Sequence, residues 1–277
     1  MIKRAIKYLI RKTLPYREVK SIDVKRSYNI VLDKTRLQGL NIIVTGGSGV
    51  IGRAICLRLA LEGANVYVGG SRSETTNAVV KELESLGLNA VPLVFDLKNY
   101  DSIQAAINSV KNLNAIICCA GGGARDKMQP LIKQEPSLIE SIIDVNLKAT
   151  IFCSKLAAKK ISMSGGGSII TISSTVGTNG LPKYSEYSAA KGGIISFTKA
   201  IAMELGEYNI RVNCITPGIV ERSSISEDRM AQLEKTNWLR SYDKPEDIAS
   251  MAAYLLSDEA SFITGQNFIV DGGRSLD

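Results

Sequence analysis

Three stretches of the chain read Tyr-x-x-x-Lys: YLIRK at 8–12, YREVK at 16–20 and YSAAK at 187–191. On a helix that spacing sets both side chains on one face. An ammonium beside a phenol favours the phenolate, so such a pair can move protons. The pattern is weak alone, because three matches among ten tyrosines in a lysine-rich chain can arise by chance. The surroundings of each pair must decide. There is no histidine anywhere, which excludes Ser-His-Asp and Cys-His nucleophiles and histidine-ligated metals. Proton transfer is left to Tyr, Lys, Asp, Glu, Cys or water, and no metal site is expected. The five cysteines, Cys56, Cys118, Cys119, Cys153 and Cys214, lie in apolar segments without a C-x-x-C pair. They read as reduced core thiols of a cytoplasmic protein, not as disulfides or zinc ligands.

The elements that would position such residues begin at Leu40. LNIIVTG reads as a buried strand and VIGRAICLRLALEG as the helix after it. NVYVGG, AVPLVF, NAIICCAGGG, GSIITISS, IRVNCITPG and NFIVDGG read as further strands. Helical patterns stand between them, including two long ones, from about Ser137 to Ser162 and over YSEYSAAKGGIISFTKAIAMELG. Shorter helices are expected near 227–237 and 245–257. Apolar runs without alternation suit strands buried on both faces. Strands alternating with helices, joined by right-handed crossovers, give a doubly wound parallel sheet of Rossmann type. The expected organisation is a basic arm over 1–38 and one α/β domain of about seven strands over 39–277. With 277 residues, 45% hydrophobic and 22% charged, the chain is long enough for a sizeable core.

The formal net charge of +7 belongs to the arm. Residues 1–38 hold eleven of the 34 Lys/Arg and three of the 27 Asp/Glu, so the body is close to neutral. No nucleic-acid partner is expected from it. In MIKRAIKYLIRK the residues Ile2, Ile6, Leu9 and Ile10 share a helical face, ringed by Lys3, Arg4, Lys7, Arg11 and Lys12. Such a helix could touch an anionic membrane surface as a peripheral contact, pack on the body or a neighbouring subunit, or serve in targeting. The expected localisation is cytoplasmic, with membrane association through residues 1–12 as one reading.

TGGSGVIG at 45–52 joins the first strand to the first helix. Its glycines permit a tight turn, and the helix N-terminus offers amide groups to a pyrophosphate. Together with VFDL (94–97), AG (120–121), DVNLKA (144–149), ITISS (170–174), YSAAK, RVNCITPG (211–218) and ITGQNFIVDGG (263–273), this loop resembles the short-chain dehydrogenase/reductase family in order and spacing, from about Leu40 to Gly273. PEDIA…YLLSDEASFITGQ and the GGARD loop look most like 3-oxoacyl-carrier-protein reductases.

The resemblance implies hydride transfer between a nicotinamide and a ketone or secondary alcohol, small or carrier-borne. It singles out the third Tyr-x-x-x-Lys pair, since Tyr187 follows Ser174 by thirteen residues, the family's spacing. Tyr187 is the implied general acid. Lys191 lowers its pKa and holds the nicotinamide ribose, Ser174 bonds the substrate oxygen, and Asn146 anchors a relay water. The implied cofactor contacts are Thr45, Gly46, Ser48, Gly49, Ile51, Gly52, Ser71, Arg72, Asp96, Leu97, Ala120, Gly121, Tyr187, Lys191, Pro217, Gly218 and Val220. Tyr8 and Tyr16 precede the fold and read as chance matches. A homo-tetramer or homo-dimer through the two long helices and the last strand is implied as well.

An acidic residue ending the second strand would accept the ribose 2′-OH of NAD. Gly70 stands there, followed by Ser71 and Arg72, and an arginine can face a 2′-phosphate. NADP is expected, with NAD the alternative. Val50 replaces the family's second loop glycine, Cys118 and Cys119 replace its asparagine pair, and Arg222 stands where a threonine is common. These departures leave room for a catalytically weak nucleotide-binding scaffold. A sugar or steroid oxidoreductase is another reading. Arg125, Lys127, Arg222 and Arg229 in the expected substrate loops could meet an anionic carrier or a nucleotide diphosphate.

Overall fold

The computed structural model describes residues 32–122, 128–221 and 236–276. Seven parallel strands form one sheet in the order β3-β2-β1-β4-β5-β6-β7. They are β1 (Asn41–Thr45), β2 (Asn65–Gly70), β3 (Ala90–Val94), β4 (Leu113–Cys118), β5 (Gly167–Ile172), β6 (Ile210–Pro217) and β7 (Asn267–Val270). Between them lie α1 (Val50–Leu61), α2 (Ser73–Ser85), α3 (Tyr100–Ser109), α4 (Pro136–Ile143), α5 (Ala149–Met163), α6 (Thr175–Asn179), α7 (Ser185–Leu205) and α8 (Pro245–Leu256). This is the expected Rossmann-type α/β fold, with helices on both faces.

The strands are apolar throughout because both faces are covered. Successive side chains point to opposite sides. Ile42 and Val44 join one core cluster, with Ile55 and Leu59 of α1, Val79 of α2 and Ile248 and Ala252 of α8. Ile43, between them, joins the other, with Ile103 of α3, Leu156 and Ile161 of α5 and Ala202 of α7. All three β1 side chains are fully buried, so truncating Ile43 to Ala should cost about 2–5 kcal/mol. Leu37, ahead of β1, is fully buried in the first cluster, and its backbone N–H donates to Glu62 O at 2.9 Å.

Chain direction across the sheet reverses between β1 and β4. The crevice beyond the carboxyl ends of these strands is where open α/β sheets take ligands. Local chemistry starts two of the flanking helices. Asn99 Oδ1 accepts from Ser102 N at 3.1 Å and caps α3. Asp247 Oδ2 accepts from Lys244 N at 2.9 Å at the head of α8, which begins on Pro245. Pro lacks the N–H that would be unsatisfied there anyway.

Two features depart from the simple alternation. The long helix expected over 137–162 is broken into α4 and α5 by a π turn at Asp144–Lys148. The short helix α6 stands between β5 and α7, in a stretch to which the sequence pattern assigns no element. The arm through Val31, the loop residues Arg125, Lys127, Arg222 and Arg229, and the helix expected near 227–237 up to residue 235 lie outside the described residues. The expected membrane association through residues 1–12 is corrected. Among the described residues no helix is long and apolar enough to cross a membrane, and nothing in the fold supports a membrane-associated segment.

Candidate active site

The glycine loop sits at the carboxyl end of β1. Thr45, 2% exposed, accepts a hydrogen bond through Oγ1 from Ala120 N at 3.1 Å, which ties β1 to the end of β4. Gly46 has φ +66°, and a β-carbon on it would stand 2.7 Å from Ala120 Cα. A β-carbon on Gly52 would stand 2.1 Å from Gly46 O. Only glycine allows the turn and the helix to approach this closely. Gly49 is the N-cap of α1, and no side chain accepts the first amides of that helix. Those amides carry the positive end of the helix dipole. Ser48 and Ile51 are half-buried beside them. Val50 is 45% exposed at the first helical position, so its methyl groups stand partly in solvent.

The second half of the site is built on β4, β5 and the two long helices. Asn146 lies in the π turn with no exposed surface. Its Oδ1 accepts from Gly122 N at 2.9 Å, while its Nδ2 donates to Gly122 O at 3.1 Å and to Ile142 O at 2.9 Å. The side-chain amide therefore pairs with the backbone of the loop after β4. A β-carbon on Gly121 would stand 2.6 Å from Asn146 Oδ1 and 3.1 Å from Lys191 Nζ. Gly121 is exposed and has no side chain to fill that point, so Asn146 and Lys191 converge there.

Lys191 and Tyr187 lie in the first two turns of α7. Lys191 is 4% exposed, its Nζ donates to Ile172 O at 2.9 Å, and it sits 5.7 Å from the centroid of the Tyr187 ring. Tyr187 is half-buried. Ser174 starts α6 as its N-cap, accepting from Val176 N at 3.3 Å. Its neighbour Ser173 donates through Oγ to Lys191 O at 2.8 Å. A β-carbon on Gly177 would stand 2.6 Å from the Lys191 carbonyl carbon. Short α6 thus lies directly against α7 and carries Ser174 to the same edge of the sheet. Ser173 and Gly177 were not singled out from the sequence. Ser173 lies within ITISS and Gly177 just after it, but their contacts with Lys191 reach well over ten residues along the chain.

Burial pushes the Lys191 ammonium down to about 8, against a smaller upward pull from Cys119 and Cys214. The thiols move the other way. Burial pushes Cys119 up to about 11 and Cys118 up to about 12, and raises Cys56, Cys153 and Cys214 as well. All five cysteines are free. Cys119 and Cys214 stand near Lys191 as neutral groups, and the other three pack in the core.

The remaining expected contacts line the same edge, with varying burial. Gly218 N, after β6, donates to Val270 O at 2.9 Å and to Asp243 Oδ2 at 2.8 Å. Pro217 ends β6, and Val220 is 3% exposed and bridged to Asp243. Ser71 and Arg72 are exposed just past β2, with Arg72 as the N-cap of α2. Asp96 is exposed, and its Oδ1 accepts from Lys98 N at 2.9 Å in a local turn; half-buried Leu97 follows it. The α3 cap is Asn99, so Asp96 leaves that duty to its neighbour. The residues present fit a dinucleotide. Glycines without side chains would leave room for it, the uncapped start of α1 would meet its phosphates, and buried Lys191 stands beside Tyr187.

Comparison with known proteins agrees with this geometry. Residues 47–275 match the protein family described as "Enoyl-(Acyl carrier protein) reductase". The chain is 33% identical over 245 residues to the 3-oxoacyl-[acyl-carrier-protein] reductase FabG of Thermotoga maritima, covering 86% of this chain and 98% of the relative. The chain belongs to the short-chain dehydrogenase/reductase family. Like that family, it is an NAD(P)(H)-dependent oxidoreductase acting on a carbonyl or alcohol. Among solved structures, a 3-oxoacyl-[acyl-carrier protein] reductase with bound NAD from Brucella melitensis superposes with a TM-score of 0.83 at 29% identity, over 91% of this chain and 98% of that one. A 7α-hydroxysteroid dehydrogenase complexed with NADH and 7-oxo glycochenodeoxycholic acid superposes with a TM-score of 0.81 at 29% identity, over 87% and 96%. This family member departs from the usual pattern at Cys118, which ends β4, and Cys119, which follows it.

Proposed function

We propose that the protein reduces the ketone of a 3-oxoacyl thioester with NADPH, using Tyr187, Lys191, Ser174 and Asn146. The observation that carries this is the placement of buried Lys191 beside the Tyr187 ring and next to Gly121. The names of its relatives, 3-oxoacyl-[acyl-carrier-protein] reductases, support the acyl class. The nicotinamide, when bound, supplies the hydride. The chain's own residues handle the proton. Tyr187 Oη donates it to the oxygen that becomes an alcohol, and Ser174 Oγ holds that oxygen in place. A phenol ordinarily titrates at about 10. With its pKa near 8, Lys191 is mostly protonated at neutral pH, and its charge favours the phenolate left behind. The Asn146 side chain is occupied by Gly122 and Ile142. A relay water would therefore be held by the Asn146 main-chain carbonyl, which lies in the π turn and also accepts from Thr150 Oγ1 at 2.8 Å.

NADPH rather than NADH is favoured by Arg72, which has no ion-pair partner among the described residues, and by the absence of an acid at Gly70. A 2′-phosphate would meet the guanidinium and the Ser71 hydroxyl. Homo-oligomerisation is part of the proposal. Between α5 and α7 lies a groove of about 520 Å³ whose lining includes Ile151, Phe197, Ile201 and Leu205, suited to the same face of a second copy.

The deciding experiment compares wild type with Tyr187→Phe on NADPH and a 3-oxoacyl pantetheine thioester. The variant should lose roughly 10²–10⁴ in kcat while binding NADPH as before by fluorescence titration. Undiminished turnover in the variant would remove Tyr187 from the chemistry.

A further inference from the structure

The end of β2 carries a second cofactor determinant, which rests on the NADPH reading above. Gly70 stands where an acidic residue would read a ribose 2′-OH. The room its side chain would need is already taken. A β-carbon on Gly70 would stand 2.3 Å from Thr76 Oγ1 and 3.5 Å from Ser48 Oγ. Real β-carbons do not approach an oxygen to 2.3 Å, so one of the two groups would have to shift. Thr76 lies in the first turns of α2 with no exposed surface. It is β-branched and fully buried, so turning the hydroxyl aside also moves its methyl within the packed core. That hydroxyl has no hydrogen-bond partner among the described residues, an arrangement with a cost of its own. The backbone of the same residue donates to Arg72 O at 3.1 Å, which holds Arg72 at the head of the helix.

We propose that Thr76 is a specificity-determining residue that locks the cofactor choice. Its hydroxyl fills the space behind Gly70 and bars an acidic side chain there, while its N–H fixes the turn that presents Arg72. The choice of a 2′-phosphorylated cofactor is then written in two places, and a single substitution at position 70 cannot reverse it. Removing the hydroxyl opens the pocket that an aspartate needs.

The test is fluorescence titration with NADPH and, separately, NADH, plus thermal melts, on wild type and the variants Gly70→Asp, Thr76→Ala and Gly70→Asp/Thr76→Ala. Wild type should bind NADPH at least about tenfold more tightly than NADH, and Thr76→Ala should keep that preference. Gly70→Asp should melt lower than wild type and bind both cofactors poorly. The double variant should recover the melting temperature and bind NADH on the order of tenfold more tightly than wild type does. The lock is refuted if Gly70→Asp alone is stable and binds NADH as tightly as the double variant. It is equally refuted if the double variant melts as low as Gly70→Asp, or folds without gaining NADH. Wild type preferring NADH would be a separate failure, that of the NADPH reading itself, and the melts would still report whether Thr76 excludes a side chain at 70.

Discussion

Replacing Lys191 by Met should abolish catalysis and stabilise the fold at neutral pH, with a pH dependence that identifies the cause. Lys191 is 4% exposed, has one hydrogen-bond acceptor among the described residues, Ile172 O, and is lowered by burial from 10.5 to about 8. At 1.36 kcal/mol per pKa unit the folded state bears a cost of about 3 kcal/mol for keeping the ammonium. The sign follows from proton counts. Below about pH 8 the lysine is protonated in both states and the whole cost is present. Between that pH and 10.5 the unfolded chain still holds the proton while the folded chain has released it, so wild-type stability rises with pH. Above 10.5 both states are neutral and the cost is gone. Methionine has similar length and no charge, so Lys191→Met bears none of it. The variant leaves the Ile172 carbonyl without its partner, a loss of about 1–3 kcal/mol. At pH 7 the net gain is therefore up to about 2 kcal/mol, or a few degrees in Tm for a domain of this size. The assay is urea unfolding of both proteins at pH 7 and pH 10. The free-energy difference between variant and wild type should move by roughly 2–3 kcal/mol in favour of wild type at the higher pH. Titrating groups away from Lys191 are shared and cancel, and making both proteins in a Tyr187→Phe, Cys119→Ala background removes the near neighbours that feel its charge. A difference that stays constant across this range would show that Lys191 is not desolvated, and the account of how it acts on Tyr187 would fall with it.

Other expectations follow from single contacts. Ser174→Ala removes both the oxygen proposed to hold the substrate and the N-cap of α6; kcat should drop by about 10²-fold or more, with about 1 kcal/mol of stability lost in denaturant melts. Gly121→Ala places a methyl 2.6 Å from Asn146 Oδ1 and 3.1 Å from Lys191 Nζ, so cofactor affinity by titration and Tm should both fall; an unchanged protein would mean that the three groups do not converge. The five thiols, all raised by burial, should react slowly with a disulfide reagent at pH 7.5 in the folded protein and together in urea. Cys119, the one not fully buried, should react first.

Much of the fold was legible because its signals are local. Apolar runs such as NIIVT and IRVNCITP announce strands covered on both faces, and their alternation with helical patterns leaves a doubly wound sheet as the compact solution. The catalytic candidates could be picked out for a different reason, since the motifs around Asn146, Ser174, Tyr187 and Lys191 resemble those of the family in order and spacing. The break in the long helix at Asp144–Lys148 was not legible. DVNLK contains neither Pro nor Gly, and its π turn goes with a side-chain amide pairing to the backbone of a loop 24 residues away. The same limit hid Thr76, which reads as an ordinary helical residue until β2 is laid beside it.

The sequence by itself determined the architecture and the glycine turn, because helix period, strand period and backbone freedom are properties of neighbouring residues. Tertiary structure decided the electrostatics and the exclusions. Lys191 has a lowered pKa because the packed sheet and α7 remove it from water. A side chain at Gly70 would have to displace a buried hydroxyl that α2 brings to that point. Both effects depend on distances between segments that the chain's order does not encode directly, and they appear only once the core has closed.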